Sequence, residues 1–339
     1  MIEELERRGP RQPLAATPPR APGSVRRTST IDTTWVDEPG GRRVVDGRAR
    51  DLLTTPEGDA VVLDQAVLRA RAEGVRRLTE LEADPPAPEL AALVGRMAGP
   101  GFRAALDEAL PDEAATLSLR YLLLDDLPGA SLVAGHAGLR NERPPGERLD
   151  DGVERADLCA GWAMDATIML RLRDTGVHPA VIGPPAPALD VPGDPWAWHA
   201  MAPLPIHGMR RLRRLDVVAP DGPGGPHRFE VHFRDSHMDI DGVEKVVHEY
   251  TVSGEVTADG ELAAVEAQPL VLPYQECPQA AASARRLAGR SVRGLRPFVR
   301  ETFVGTTTCT HLNDTLRGLA DLERLIALEA EARAGRSPG

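Results

Sequence analysis

An internal repeat is the feature that most constrains this fold, because two copies of one pattern must bury the same apolar faces. The segment beginning RRTSTIDTTW at Arg26 matches the segment beginning RRLRRLDVVA at Arg210, at an offset of 184 residues. Both segments continue through a Pro-Gly-Gly run to an Arg-Asp pair, which ends at Asp51 in the first and at Asp235 in the second. Later matches continue at a shifted offset. We therefore interpret the chain as a duplication.

The sequence pattern of each copy predicts strands followed by helices. The Pro-Gly-Gly run is typical of a turn between two strands, and alternation places Phe229, Val231 and Phe233 on one face of the following strand. His232 is predicted to face outward on the opposite side. Further strands and then two helices complete each copy, an order that indicates an α+β fold with an antiparallel sheet. The predicted fold class is two tandem degenerate copies of an antiparallel-sheet-plus-helices unit, a pseudo-dimer.

The repeat divides the chain into four predicted parts. The Pro- and Arg-rich composition of residues 1–24 predicts a disordered N-terminal tail. Residues 25–140 form the first, degenerate α+β copy, and residues 141–205 form a helical and Pro-rich connecting segment. Residues 206–335 form the second α+β copy, which carries the residues suited to chemistry.

Charge and composition exclude several classes of function. The net charge of -11 argues against a sequence-independent nucleic-acid binder, which needs a basic face. No apolar run approaches the ~20 residues that a membrane-spanning helix needs, and the first residues lack the apolar core of a secretory signal. Three cysteines in 339 residues do not make a disulfide scaffold, so a cytoplasmic location is expected. The expected partner is a small-molecule substrate, without nucleic acid or membrane.

The two copies differ in the residues that carry chemistry. The first copy contains no cysteine, and no histidine of the second copy aligns with a histidine there. His248 aligns with Asp64, and at an offset of 189 residues Cys309 and His311 align with Arg120 and Leu122. One copy is therefore interpreted as scaffold, and the other as the carrier of a site.

Strand periodicity places His248 on the apolar face that also carries Tyr250, so its imidazole is predicted to point inward. Such an imidazole is either a hydrogen-bonded core residue or a ligand, and the pattern leaves both open. Cys277 precedes Pro278, which favours the first turn of a helix. Its thiol is therefore expected at a helix N-terminus, where the dipole lowers a thiol pKa. The alternative for Cys277 is a small apolar filler.

Cys309 and His311 stand just before a predicted helix. Cys309 continues the apolar stripe of that helix at helical spacing, which indicates that the thiol is buried. Within a helix, a two-residue step would turn His311 about 200° away from Cys309. If Thr310 or Asn313 caps the helix, the Cys-Thr-His run lies in the preceding loop and both side chains can approach one ion.

The segment around these positions resembles a known bacterial family. The shared pieces are a strand with His248, the run Pro273-Tyr274 and Cys277-Pro278, Leu287 with Gly289, and finally Cys309, His311 and Leu312. Over about residues 243–317 they resemble domain of unknown function 2889, with Thr308 where that family usually has glycine. The resemblance implies no settled activity. The order of parts is also similar to the NifU-type iron–sulfur scaffold proteins, which use three cysteines, the first of which His248 would replace here.

These residues predict a Cys/His metal site. The expected ligands of zinc or iron in a metal-dependent enzyme acting on a small organic substrate are His248, Cys277, Cys309 and His311, and the candidates for acid–base catalysis are Glu276 and Tyr274. One alternative is a non-catalytic metal or iron–sulfur handling protein. Another is a metal-free cysteine enzyme in which Cys277 is the nucleophile and His248 or His311 is the base. A structural or binding role without chemistry is the last.

Overall fold

A computed structural model describes residues 8–74, 76–140, 156–176, 181–222 and 224–335. Its centre is one eight-stranded sheet of antiparallel neighbours in the order β4-β3-β2-β1-β5-β6-β7-β8. The strands are β1 (Ser24–Trp35), β2 (Arg43–Thr54), β3 (Ala60–Glu73), β4 (Arg77–Asp84), β5 (Met209–Val218), β6 (His227–Met238), β7 (Glu244–Val256) and β8 (Leu262–Val271). The predicted α+β class with an antiparallel sheet is confirmed.

Eight α-helices lie within the described residues. They are α1 (Phe102–Ala109), α2 (Pro111–Thr116), α3 (Leu119–Val133), α4 (Gly135–Arg140), α5 (Thr167–Thr175), α6 (Leu295–Thr302), α7 (Thr310–Arg317) and α8 (Leu322–Arg333). Short 3₁₀ helices span Pro88–Leu93, Ala160–Trp162, Cys277–Leu287 and Gly318–Asp321. Among the helices of the described ranges, none is both long enough and apolar enough to span a membrane.

The two segments that begin at Arg26 and Arg210 meet in the middle of the sheet, where β1 pairs with β5. Arg26 in β1 lies opposite Asp216 in β5, and Arg210 in β5 lies opposite Asp32 in β1. Each guanidinium donates two hydrogen bonds to its carboxylate, at 2.6–3.0 Å. The ion pairs repeat with the roles of the strands exchanged, so the pairing is symmetrical about a point between β1 and β5.

One face of the sheet carries the helices. Helix α3 packs on β1, β2 and β3, and helix α8 packs on β1 and β5. Helix α7 packs on β7, and the 3₁₀ helix Cys277–Leu287 packs on β8. The apolar core beneath them includes Phe229, Val231 and Phe233, which are buried on one face as the alternation predicted. This face positions the candidate site, because α7 starts directly above β7.

The opposite face of the sheet is polar and is covered by two extended segments, residues 8–20 and 184–199. Arg26 donates to the carbonyl oxygens of Pro18 and Ala197, and Arg234 donates to those of Leu14 and Pro187. These carbonyls satisfy guanidinium groups that would otherwise be buried without partners.

This cover corrects one expectation and changes another. His232 lies on the predicted side of β6 but is fully buried rather than outward, with Nε2 2.6 Å from Glu249. The composition of residues 1–24 predicted disorder. Residues 1–7 lie outside the described ranges. Residues 8–23 run along the sheet, where the Gln12 N–H donates to the Leu270 carbonyl at 2.9 Å. Composition could not anticipate this, because the segment is ordered by backbone and arginine contacts to distant strands. Residues 141–155 and 177–180 of the predicted connecting segment also lie outside the described ranges.

Candidate metal centre

Strands β6 and β7 place two donor side chains side by side. Asp235 lies opposite His248, and the register shifts beyond this pair, where Ser236 lies opposite Val246 and Val247 is the extra residue. A bulge of this kind bends a strand and re-aims its side chains. Because cross-strand partners share a face, Asp235 and His248 both lie on the helix-covered side.

Arg211 holds the Asp235 carboxylate. Arg211 donates from Nε and Nη2 to the two carboxylate oxygens at 2.8 and 3.0 Å, and from Nη1 to Asp314 at 2.8 Å. Burial alone would raise the pKa of Asp235, but the charge of Arg211 outweighs it and holds that pKa well below the ordinary value. Asp235 is therefore ionised at neutral pH although it has no solvent exposure.

Helix α7 supplies the third donor. Cys309 is the N-cap with an extended backbone, and the helix begins at Thr310, which places His311 at the second helical position. The His311 ring stacks on the His248 ring with centroids 3.6 Å apart and planes 20° apart. Asp235 Oδ2 lies 3.4 Å from His248 Nδ1 and 3.9 Å from His311 Nε2. One carboxylate oxygen thus faces two imidazoles.

This cluster has the composition of a metal site. One donor atom from each of Asp235, His248 and His311 lies within 4.8 Å of the others, and no other group of three His, Cys, Asp or Glu donors does so among the described residues. His248 Nδ1 is buried, and its 3.4 Å contact with Asp235 Oδ2 is not aligned as a regular hydrogen bond. Burial, reinforced by the charge that His248 can carry, lowers the pKa of His311 to about 3, so at neutral pH its imidazole is in the uncharged form that metals bind. Two imidazoles and one carboxylate suit zinc or iron.

Cys309 lies on the far side of His311 from the carboxylate. Its Sγ is 3.9 Å from His311 Nδ1, whereas the other ring nitrogen faces Asp235. The thiol is 4% exposed, and burial raises its pKa. Of the four predicted ligands, His248, His311 and Cys309 thus lie in a row of contacts, with His311 between the thiol and Asp235.

Cys277 begins its 3₁₀ helix as expected, but its thiol is not activated there. A Cβ added to Gly161 would lie 2.6 Å from the Cys277 Sγ, so the sulfur packs directly on that glycine. Burial raises the pKa of Cys277 well above its ordinary value, and the nearby Cys309 raises it further. Burial of the thiolate therefore outweighs the lowering that was expected from the helix N-terminus.

Glu276 and Tyr274, the predicted acid–base residues, lie beside Cys277 rather than in the three-donor group. Glu276 Oε1 accepts hydrogen bonds from the backbone N–H and the hydroxyl of Thr167, at 3.1 and 2.7 Å, and so holds the start of α5. Its Oε2 is buried without a partner. Tyr274 is 8% exposed, and burial raises its pKa. Their catalytic roles stay a prediction.

Two residues near the site were missed from the sequence. Asp235 continues the alternation of Phe229, Val231 and Phe233, and a carboxylate on an apolar strand face is a signal that could have identified it. Cys159 stands in the connecting segment, where Ala160 donates to the Thr308 carbonyl at 2.9 Å next to Cys309. Burial and the neighbouring Cys309 raise the pKa of Cys159 to about 11. No spacing in the sequence points to this approach.

Comparison with known proteins gives one match. Residues 209–324 match the family model described as Protein of unknown function (DUF2889), a range that contains Asp235, His248, Cys277, Cys309 and His311. This confirms the resemblance predicted from the sequence motifs. No curated protein and no solved structure matches the chain significantly.

Proposed function

Residues 209–324 belong to the DUF2889 family of proteins of unknown function, and from the cluster within them we propose a metal-dependent enzyme that acts on a small organic substrate in the cytoplasm. One observation carries the proposal. Donor atoms of Asp235, His248 and His311, from two strands and a helix, lie within 4.8 Å of one another. Side chains so distant in sequence converge at such distances most simply to hold an ion.

The surrounding groups suit this role. Arg211 fixes the Asp235 carboxylate, as hydrogen-bonded second partners do for metal ligands in general. The side chains of His248 and His311 are 12% and 16% exposed, whereas Asp235 is closed off, so a substrate reaches the cluster from the imidazole side. A bound zinc or iron ion would supply Lewis-acid activation there. Tyr274 and Glu276 remain the proposed acid–base residues.

Metal analysis of the full-length protein tests the proposal. After reconstitution with zinc or ferrous iron and removal of excess, we expect about one equivalent bound, with affinity reduced at least about 100-fold in His248→Gln and His311→Gln. His199→Gln is the matched control, because His199 is equally buried but lies on the opposite face between Thr28 and Thr30. Loss of binding in the control, or no binding by the wild-type protein, would refute the proposal.

A metal-free cysteine enzyme is the second candidate. Its support is the line from Cys309 Sγ to His311 Nδ1 and from His311 Nε2 to Asp235, each step 3.9 Å long, which matches the roles of nucleophile, base and orienting carboxylate. Alkylation separates the two candidates. One fast, stoichiometric modification that chelators do not alter, lost in Cys309→Ser and His311→Gln, would favour this mechanism over the metal centre.

Non-catalytic metal or iron–sulfur handling is the third candidate. It is supported by the electrostatic interaction of Cys159 and Cys277 with Cys309, whose Sγ lies 3.9 Å from His311 Nδ1. Visible absorbance after anaerobic reconstitution with iron and sulfide, lost in Cys159→Ser, would favour it. A colourless protein with one zinc would favour the enzyme.

We also propose that the chain is a tandem duplication whose halves form a pseudo-dimer. The exchanged ion pairs Arg26–Asp216 and Arg210–Asp32 support this origin, since an equivalent pairing from unrelated segments has no reason to repeat at a fixed offset.

A further inference from the structure

A second site lies away from the metal centre, in a cleft of about 330 Å³ between the two halves. Its walls come from α2 and α3 of the first half and from the start of α6 and the end of α7 in the second. None of Asp235, His248 and His311 lines it. A ligand in the cleft would therefore be recognised by side chains other than the proposed metal ligands.

The floor of the cleft contains a buried cation with an unmet donor. Arg296 is 9% exposed and donates from its two Nη atoms to Asp125 and Asp321. Its Nε is buried without a hydrogen-bond partner. The guanidinium stands 5.2 Å from the centre of the Tyr121 ring, which stabilises the cation from one side. A buried N–H without a partner is costly, so a small shift of the side chain that brings Nε to an acceptor in the cleft would be favourable.

The rim of the cleft carries two exposed cations. Arg293 pairs with Glu323 at 2.7 Å and Arg300 with Asp107 at 3.2 Å, and all four side chains are substantially exposed. Exposed ion pairs contribute little because water and salt compete with them. These arginines can therefore leave their carboxylates for a ligand at small cost.

Charge and helix geometry favour an anion here. The cleft is lined by four arginines, the fourth being Arg317, and by three carboxylates, while Asp314 and Asp321 pair with Arg317 and Arg296 from outside the lining. The cationic groups that face the cleft are therefore concentrated here in a protein whose net charge is -11. Helix α6 begins at Leu295 in the wall, after Gly294 at φ 69°, and no side chain caps it. The first turn of α6 contains Pro297, which has no N–H, and Phe298 donates to the Gly294 carbonyl, so the helix contributes mainly the positive end of its dipole, which attracts negative charge.

We propose that this cleft binds a small organic anion through a carboxylate or phosphate group. Arg293 and Arg300 close on it from the rim, and Arg296 Nε donates from the floor. The floor is continuous with the metal centre through ion pairs, since Arg317 bridges Asp125 and Asp314, and Arg211 bridges Asp314 and Asp235. An anion held in the cleft therefore acts on the same charge network that fixes Asp235.

Calorimetric titration of the full-length protein with inorganic phosphate, and separately with succinate, tests the proposal at constant ionic strength. We expect saturable binding of at least one probe, and the better probe identifies the preferred acidic group. The double variant Arg293→Ala/Arg300→Ala should bind at least about tenfold more weakly, because it removes both rim cations. These exposed positions leave the core intact.

The matched control is Arg71→Ala/Arg285→Ala, which removes two equally exposed, paired arginines outside the cleft. Its affinity should equal that of the wild-type protein. Arg296→Lys, which keeps the charge but loses Nε, should also weaken binding. The proposal is overturned if neither probe saturates, or if the control variant weakens binding as much as the rim variant.

Discussion

In each half of the sheet an arginine and an aspartate form the same buried pair at the same point of the ladder. Arg27 donates to Asp51 at 2.8 and 2.7 Å, as Arg211 does to Asp235 at 2.8 and 3.0 Å. Asp51 lies opposite Asp64, and the register shifts directly afterwards, just as it does beyond Asp235. The backbone of both halves therefore prepares a fixed carboxylate beside a bulge.

The two halves differ in the residues that surround this carboxylate. In the second half the opposing residue is His248, and α7 adds His311 above it. In the first half the opposing residue is the exposed Asp64. The third Arg27 nitrogen donates to the Leu117 carbonyl and also pairs with Asp321, much as the third Arg211 nitrogen pairs with Asp314. The comparison teaches that the backbone places a fixed carboxylate in both halves, whereas two histidines accompany it only in the second half among the described residues. A variant series in the two halves can therefore separate stability from function.

The largest expected effect comes from Asp235→Asn and Asp51→Asn. Each removes the carboxylate that binds two nitrogens of a buried arginine and leaves only the second carboxylate, Asp314 for Arg211 and Asp321 for Arg27, so each should lower the free energy of unfolding by about 3–5 kcal/mol. Only Asp235→Asn should abolish metal binding. Urea unfolding combined with metal analysis measures both quantities. If Asp51→Asn lost the metal to the same degree, the distinction between the halves would fail.

A smaller effect concerns two neutral histidines on opposite faces. Burial, with Arg50 and Arg210 nearby, lowers the pKa of His199 to about 3, as burial does for His311. The ordinary pKa of about 6.5 applies in the unfolded state, so below pH 6.5 the unfolded chain binds more protons than the folded protein. The free energy of unfolding therefore decreases as the pH is lowered from about 6.5 to about 3. Each histidine should lower the free energy of unfolding by about 2 kcal/mol when the pH is lowered from 7 to 5.

His199→Gln should therefore reduce the loss of stability between pH 7 and pH 5 without changing metal affinity. His311→Gln should reduce it by a similar amount and also remove the metal. Urea unfolding at the two pH values, without added metal, measures this. Parallel pH dependence in the wild-type protein and both variants would contradict the assignment of neutral, buried imidazoles.

The smallest effect tests the exchange of one residue between halves. His248→Asp installs the residue of the first half, and a carboxylate in place of an imidazole should lower zinc affinity at least about tenfold while favouring manganese. The reciprocal Asp64→His should gain no zinc, because no third donor joins Asp51 there among the described residues. Competitive titration measures both. A zinc site in Asp64→His would show that the first half keeps more of the centre than its side chains indicate.

Local pattern was enough to predict the strands, the apolar face of β6 and the start of a helix near Thr310. His248 and His311 were predicted as site residues because they stand in apolar or helix-starting positions. Asp235 was missed because its Arg-Asp pair served as a marker of the repeat. The cover over the polar face and the approach of Cys159 depend on contacts between distant segments, which no local periodicity encodes.

The pairing of β1 with β5 has a consequence for biosynthesis. During synthesis, β1 can pair with β2 on one edge as soon as both strands have emerged. Its other edge stays open until β5 emerges, after β3, β4 and α1–α5. An open strand edge invites pairing with other chains, and contacts between such distant segments slow folding. Nascent first halves therefore need protection from one another, and a truncated first half should aggregate rather than behave as an independent domain.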